Sequence, residues 1–457
     1  MERKHGKQAA SHAVDLTRGP ILKGIVLFAL PLLGSGVMQQ LYGSVDLLFV
    51  GNVLGTGASA ALGVSSMLIS CLVGFFSGIS VGVNVAVAKA LGAEDGRAAS
   101  RATHCAVALG VVGGLALAVL GWALAPWYLS QVQAPPEIVD DALLYLRVYF
   151  VSMLAVVMYN MCAGIVRSLG DSATPLRAQF MGCLVNVAMN AAFLLIGWGI
   201  AGIAAATLFS QGVAAWILVR YLRRVDGPCR LHLRKVALHA DVVKPVLAVG
   251  VPTGLESMVI TLSNVFVQYQ INLLGTVPIA AFTAYFRIEL PLYYAIVALG
   301  QAATTFVAQN CGAGLYSRAR KGTNVCLGLG IAVTAALACL LLFVGHWAFW
   351  IFNQDPAVIE TGLQIISVTF PFYWLYVFIE ILAGACRGRG QAIVPMVVIL
   401  LNVCVLRVAF LFWVCSVAPS VPGVASAYPV SWALTALGML VCHRAVVRKL
   451  DKDTRKD

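Results

Sequence analysis

Long apolar runs and short polar breaks alternate along nearly the whole chain. An α-helix needs about 20 mostly apolar residues to cross ~30 Å of hydrocarbon. On that measure the pattern predicts twelve spanning helices. They fall near 22–47, 58–88, 98–125, 137–164, 174–197, 202–222, 242–272, 277–308, 321–346, 357–384, 392–415 and 423–445. Ten-residue segments of strand-like alternation are missing, so a barrel is not expected. Lipid offers the backbone no water to bond, and helices satisfy it internally. The fold class read from this pattern is an all-α polytopic membrane protein. Its longest break, Arg223–Asp241, is a polar linker that divides the helices six and six. The expected organisation is an N-terminal tail (1–21), a first lobe (22–222), the linker (223–241), a second lobe (242–446) and a C-terminal tail (447–457).

The two halves repeat. Lys89-Ala-Leu-Gly92-Ala-Glu94 returns as Gln309-Asn-Cys-Gly312-Ala-Gly314, and 312 − 92 = 220. Gly164-Ile-Val-Arg167-Ser-Leu-Gly170, with Pro175, returns as Gly384-Ala-Cys-Arg387-Gly-Arg-Gly390, with Pro395, where again 387 − 167 = 220. Leu54-Gly55-Thr56 and Leu274-Gly275-Thr276 keep the same register. Lys23 stands eight residues before Pro31, as Lys244 does before Pro252, one residue off it (252 − 31 = 221). Duplication in a hydrophobic chain is the mark of secondary transporters, whose binding sites lie near the bilayer midplane. Six helices return the chain to its starting side, so the two six-helix repeats are expected to be parallel.

Charge sets the expected orientation. Basic residues cluster in alternate loops and at the helix ends beside them, from Arg3, Lys4, Lys7, Arg18 and Lys23 through Arg97 and Arg101, Arg223 to Lys244, and Arg318 to Lys321, to the tail from Arg444. Arg167 and Arg387 are read in the same set. The opposite loops hold no Lys or Arg, but do hold Glu137, Asp140, Asp141, Asp355 and Glu360. By the positive-inside rule both termini are cytoplasmic, in a multi-pass protein of the cytoplasmic (inner) membrane. Trp122, Trp127, Trp198, Trp347, Trp350 and Trp413 fall near the predicted outer ends, as an aromatic belt does.

Composition narrows the function classes. The chain of 457 residues is 11% charged and 60% hydrophobic, with mean hydropathy +0.88. Its net charge of +12 punctuates span ends, so it does not mark a nucleic-acid binder. Met1–Arg18 is polar and Ile21–Val50 is too long for a signal h-region, so no cleavable signal is expected. The twelve cysteines are scattered singly, without a CxxC pair, and read as small packing residues. The glycine turns lack the Gly-x4-Gly-Lys-Ser/Thr spacing of a phosphate loop. No zinc-protease or nucleophile-elbow motif occurs, and no catalytic residue, metal site or organic cofactor is expected.

The informative residues are those that do not belong in lipid. A charge at a helix centre costs ~2.5–3.5 kcal/mol on insertion scales, so it needs a partner, a cavity or a function. Away from cytoplasmic helix ends the spans hold Asp46, Glu256, Glu289 and Glu380, with Arg147, Arg287 and Arg407. Gln39, Tyr42 and Asp46 follow helical spacing and share one face. Asp46 reads either as a solvated interface residue or as an intramembrane site. Pro31 and Pro252 each remove a backbone hydrogen bond and are candidate hinges, or passive kinks. Asn160 and Glu380 are repeat counterparts (380 − 160 = 220), lining a shared cavity or packing the bundle. Asn186 and Asn190, four apart, point the same way. Arg287 is expected to pair with Glu256 on the preceding helix, because it cannot reach Glu289 two residues on. Glu256 and Glu289 are candidates for a second cation site.

These motifs together resemble the multidrug and toxic compound extrusion (MATE) family. The resemblance lies in Pro31…Gln39…Tyr42…Asp46, Gly51-x3-Gly55, Gly92-Ala, Asn160-x6-Arg167-Ser-Leu-Gly170-Asp171-x3-Pro175, Gly202-Ile-Ala and their second-half versions, and covers residues 20–445. It implies a V-shaped pair of six-helix lobes and antiport, with H+ or Na+ entering as organic, often cationic, compounds leave. It also implies a first-lobe polar network of Gln39, Asp46, Asn160, Asn186 and Asn190, with Glu256 as the second-lobe acid. Proton-coupled prokaryotic members commonly carry an aspartate where this chain has Asn190, which leaves Asp46 as the only acid of that first-lobe network.

The expected partners are small organic substrates and membrane lipid, with no nucleic acid, and the chain is expected to act as a monomer. A lipid-linked oligosaccharide flippase of the same superfamily is the alternative, ranked lower because only three arginines lie deep in the spans. A major-facilitator transporter is disfavoured because Gly92-Ala-Glu-Asp-Gly does not supply the basic loop expected after its second helix. A membrane enzyme is disfavoured by the lack of catalytic clustering.

Overall fold

The computed structural model describes residues 13–453, so the tail residues 1–12 and 454–457, with Arg3, Lys4, Lys7 and Lys456, lie outside the described residues. Sixteen α-helices make up the described chain: α1 (Ile21–Phe49), α2 (Gly55–Gly92), α3 (Gly96–Gln131), α4 (Pro136–Ser168), α5 (Ala173–Leu195), α6 (Gly199–Arg224), α7 (Ala240–Leu273), α8 (Thr276–Ile288), α9 (Leu290–Gly312), α10 (Tyr316–Phe343), α11 (Gly345–Phe352), α12 (Pro356–Thr369), α13 (Trp374–Gly388), α14 (Ile393–Ile399), α15 (Arg407–Val417) and α16 (Val421–Asp453). No β-strand occurs among the described residues.

The sixteen helices resolve into the twelve predicted spans. Ten elements are long and apolar enough to cross a membrane, and a bent pair makes an eleventh. One of the ten, Ile21–Gly92, runs for 72 residues, which at 1.5 Å per residue is about 108 Å. That length is too great for one crossing. It breaks at a π-helical turn, Val50–Leu54, followed by Gly55 with φ +87°, and so supplies the first two spans.

Three spans are less regular than their apolar pattern suggested. The eighth is interrupted at Glu289, between α8 and α9. The tenth bends by 49° between Pro356–Phe372 and Trp374–Gly388, where Pro371 interrupts the ladder. The eleventh carries a π-helical stretch, Leu400–Leu406, between α14 and α15. Hydrophobicity records that a segment is apolar and is blind to such local breaks.

The turns are duplicated as the sequence is. Gly55 and Gly275 have φ +87° and +103°, Gly170 and Gly390 have +82° and +87°, and Glu94 and Gly314 have +55° and +71°. Glycine reaches this region without a Cβ penalty, which accounts for it at five of these six positions. Helix starts are capped by acids in both halves. The Asp95 carboxylate accepts from the N–H groups of Arg97 and Ala98, and Asp355 from Ala357.

Two compact units divide the chain: Leu30–Gly254 with the described residues up to Thr17, and Arg18–Ala29 with Leu255 onward. In the first unit α4 packs on α2, α3 and α6, and α5 on α6. Glycines let the early part of α7 pack there too. A Cβ on Gly250 would stand 2.7 Å from the Ile79 Cα, and one on Gly78 would strike the backbone at Gly254. In the second unit α9 packs on α13 and α10, α13 on α16, and α8 on α12. Arg318 Nη2 there donates to the carbonyls of Arg18 and Gly19, both at 2.9 Å. All six tryptophans of the expected belt are exposed, as are many Leu, Val and Phe side chains, so the outer faces are apolar.

The linker is less detached than its polarity implied. Cys229 and Leu231 are buried in the first unit's core. The Leu231 N–H donates to the Leu222 carbonyl at 2.8 Å. The buried His104 of α3 holds it through Nε2, which accepts from the His232 N–H at 3.0 Å, while Nδ1 bonds the Ser100 carbonyl of its own helix at 2.7 Å.

Candidate functional site

In the first unit the last two turns of α1 bring Asp46 against α5 and α6. The carboxylate is 7% exposed. Asn190 Nδ2 donates to its Oδ1 at 2.8 Å, and Thr207 Oγ1 donates to its Oδ2 at 3.3 Å. Asn190 Nδ2 also reaches Asn186 Oδ1 at 3.3 Å, so the predicted i, i+4 pair forms one network with the acid. Among the described residues no basic side chain joins the hydrogen bonds of this acid. Neutral donors hold a buried carboxylate but do not cancel its charge. Two buried polar atoms remain unbonded in this network, Asn190 Oδ1 and Asn186 Nδ2. A buried acid with a spare oxygen acceptor nearby suits a small hard cation or a proton.

Tyr42 is buried one turn earlier on α1, and its hydroxyl donates to the Gln179 carbonyl at 3.5 Å. Gly182 is the reason the ring fits, because a Cβ there would collide with the phenol oxygen. Gln39 departs from the expectation. It is exposed and makes no hydrogen bond to Asp46. Asn160 is buried but donates to its own helix, at the Val156 carbonyl (2.9 Å), so it is not part of that network either. Pro31 lies inside the continuous α1, where Ser35 Oγ donates to its carbonyl at 3.0 Å. Pro252 lies inside α7.

The second unit corrects the expected ion pair. Glu256 on α7 pairs with Arg387 on α13: Nη2 stands 3.1 Å from Oε1, with both side chains 6% exposed. Arg387 Nη1 reaches Glu380 Oε1 at 3.5 Å, so one guanidinium bridges two acids. Arg287, the expected partner, is exposed near the end of α8. The sequence places Arg387 among the cytoplasmic helix-end charges, yet it is buried inside the unit. Loop-side arginines look alike in sequence. The signal that marked this one was its position seven residues after Glu380, two helical turns along the same face.

Glu289 does not join Glu256. It sits at the α8–α9 break, where the Tyr373 hydroxyl donates to its Oε2 at 3.2 Å. Arg407 Nε donates to Ser431 Oγ at 2.9 Å, and its guanidinium lies over the Tyr428 ring at 4.9 Å. Arg147 stacks over Trp122 at 4.6 Å. Gln179 and Thr207 were missed in the sequence. Gln179, Asn186 and Asn190, spaced seven and four apart, make one polar stripe on α5 that their spacing would have exposed.

All twelve cysteines are free, and no group of three His, Cys, Asp or Glu side chains suited to a metal occurs among the described residues. A duplicated, polytopic helical bundle with buried acids in each half is the layout of a secondary transporter. Comparison with known proteins specifies the family. The MatE family model matches twice, over residues 31–192 and 252–413, and the chain belongs to the multidrug and toxic compound extrusion family. The two matches fall on the two repeats.

The probable multidrug resistance protein YpnP of Bacillus subtilis is 27% identical over 404 residues, covering 87% of this chain and 89% of that protein. A MATE crystal structure in the straight conformation superimposes with TM-score 0.90 at 21% identity, over 97% of this chain and 99% of that one. A transporter of the MOP superfamily from Pyrococcus furiosus, described as having a binding pocket of reverse polarity that suggests a different function, gives TM-score 0.88 at 21% identity, over 96% and 99%.

Proposed function

We propose that the protein is a secondary active exporter that exchanges H+ or Na+ for small organic compounds, often cationic, with Asp46 as the principal shared site. It works in the cytoplasmic membrane with both termini inside. The observation that carries this reading is the buried Asp46 carboxylate, held by Asn190 and Thr207 and bonded to no basic side chain. Ionised, the acid attracts a positive guest. Protonated or bound to sodium it is neutral, and an organic cation loses its counter-charge and leaves. One acid serving both guests makes their occupancies exclusive, and this competition is what couples their movements.

The driving force is adequate, since one elementary charge moving through 100 mV releases ~2.3 kcal/mol before any concentration gradient. Asn186, Asn190, Thr207 and Tyr42 shape the surroundings of Asp46. Glu256 and Glu380 are the acids for a second coupling position, and Glu289, at the α8–α9 break, is a separate candidate. Relatives named as multidrug resistance proteins support the substrate class.

The test is transport by the purified protein in vesicles, with proton and sodium gradients imposed one at a time and ethidium as the probe. Uptake driven by one gradient and abolished by its collapse supports the reading. Absence of gradient-driven movement for every organic cation tried contradicts it. The alternative, a lipid-linked oligosaccharide flippase, requires movement of an isoprenyl-pyrophosphate sugar in the same vesicles.

A further inference from the structure

Arg387 stands between two acids, and its repeat counterpart does not. In the first half, seven residues before Arg167, the matching position holds Asn160, whose amide donates to the Val156 carbonyl. In the second half the same place holds Glu380, and the arginine two turns later reaches it and Glu256 with separate nitrogens. The geometry is fixed by packing. Gly300 on α9 leaves room for the Glu380 side chain, since a Cβ there would stand 2.6 Å from its Cγ. Gly384 lets α13 close on α9, where a Cβ would stand 2.9 Å from Thr304 Oγ1. Glu256 Oε2 is buried without a hydrogen-bond partner, while Oε1 takes the guanidinium. The titratable neighbours of the group are the phenols of Tyr293 on α9, which also interacts with Glu289, and Tyr376 on α13, which also interacts with Arg407.

We infer that Arg387 is a resident counter-cation, which gives the second unit's acidic cluster one net negative charge and so room for one transported cation rather than two. The inference rests on the proposed role of Glu256 and Glu380 as coupling acids. Two carboxylates and one guanidinium sum to −1 − 1 + 1 = −1. Asp46, with only neutral partners, is also −1. Each unit thus presents one unit of uncompensated buried charge at its site, although the two sites are built from different residues. Glu256 Oε2, the oxygen without a donor, is where a proton completes the cluster. Arg387 is a positioning residue here: it sets the charge of the site through its neighbours and is itself no carrier.

The experiment counts bound cations on the purified full-length protein in nanodiscs, by potentiometric proton titration and 22Na+ binding. Wild type is expected to show one cation whose binding depends on Glu256. Glu380→Gln leaves one acid balanced by Arg387, so that cation should be lost. Glu380→Gln combined with Arg387→Gln returns the net charge to −1 and should restore it. Arg387→Gln alone should raise the count twofold, and Arg387→Lys should match wild type.

A merely structural ion pair predicts instead that these variants lower thermal stability without changing the count, and that result overturns the inference. If Arg387→Gln does not fold, the Glu380→Gln variant and the double variant still decide, because retention of the cation by Glu380→Gln alone is contradictory. A count unchanged by Glu256→Gln sinks the underlying reading of the acids, an outcome distinct from failure of the charge count.

Discussion

Asn190 Nδ2 lies 2.8 Å from Asp46 Oδ1, an amide donating to a buried carboxylate across two helices. The identity of this one residue sets how many charges the first unit holds. Asn190→Asp would place a second carboxylate at that distance, and two adjacent buried acids do not both stay ionised without a cation. The variant is expected to bind one additional proton or sodium ion, measured by titration of the purified protein. Asn190→Leu removes the donor instead. A hydrogen bond to a charged group contributes roughly 1.5–3 kcal/mol, so thermal stability should fall by that order.

Helix packing around the second acidic cluster is equally specific. A Cβ on Gly384 would press on Thr304 Oγ1 at 2.9 Å and on the Gly300 carbonyl. Gly384→Ala is expected to lower stability by about 1–3 kcal/mol through overpacking and to weaken transport by displacing Glu380 from Arg387. Gly328, inside α10, has nothing within 4 Å of the same atom. Gly328→Ala should be neutral or stabilising by up to ~1 kcal/mol, because alanine is the better helix former. Thermal unfolding followed by intrinsic fluorescence checks both.

The inter-repeat linker separates strong from weak contacts. Arg101 and Asp241 form a 3.0 Å ion pair with side chains 55% and 57% exposed, and exposed pairs contribute only about 0–1 kcal/mol. Leu231 is 3% exposed in the core. Arg101→Ala should therefore barely move the unfolding temperature, whereas Leu231→Ala should cost about 2–5 kcal/mol. Burial also raises the Cys229 thiol above its usual range, since the thiolate is poorly solvated there. Alkylation of Cys229 in the native protein is expected to be slow at neutral pH and to become fast when Leu231→Ala loosens the linker, as read by peptide mass spectrometry.

Orientation can be read from the turns. Glu94 follows α2 and Gln133 follows α3, so they end successive spans on opposite sides. In a cysteine-depleted background, Gln133→Cys should react with an impermeant maleimide on intact cells and Glu94→Cys only after lysis. The reverse pattern would place both termini outside.

Most of the fold was legible because apolar length and repeated turns are written directly in the residues. Gly170 and Gly390 share a motif, a register and a positive φ, so the duplication in sequence is the duplication in space. The breaks at Glu289 and near Pro371 were not legible as breaks, since they interrupt spans that remain apolar on either side. The Asn186–Asn190 pair was readable from helical spacing, whereas its meeting with Asp46 on α1 was implied by the family resemblance. Pairing between distant helices was not readable. Arg287 and Arg387 are both candidates for Glu256 by type, and only the tertiary fold, which brings Arg387 of α13 within 3.1 Å of Glu256 on α7, decides between them. Gln39 shows the limit from the other side: sharing a face with Asp46 did not suffice to put it in the network.

The most direct measurement is ethidium uptake into vesicles containing wild-type protein or Asp46→Asn, driven by whichever gradient powers the wild type. Asparagine keeps the size and hydrogen bonding of the side chain but removes its charge. Gradient-driven accumulation is expected to disappear in a variant that unfolds within a few degrees of wild type. Accumulation at the wild-type rate, against a gradient, would contradict the role given to this carboxylate.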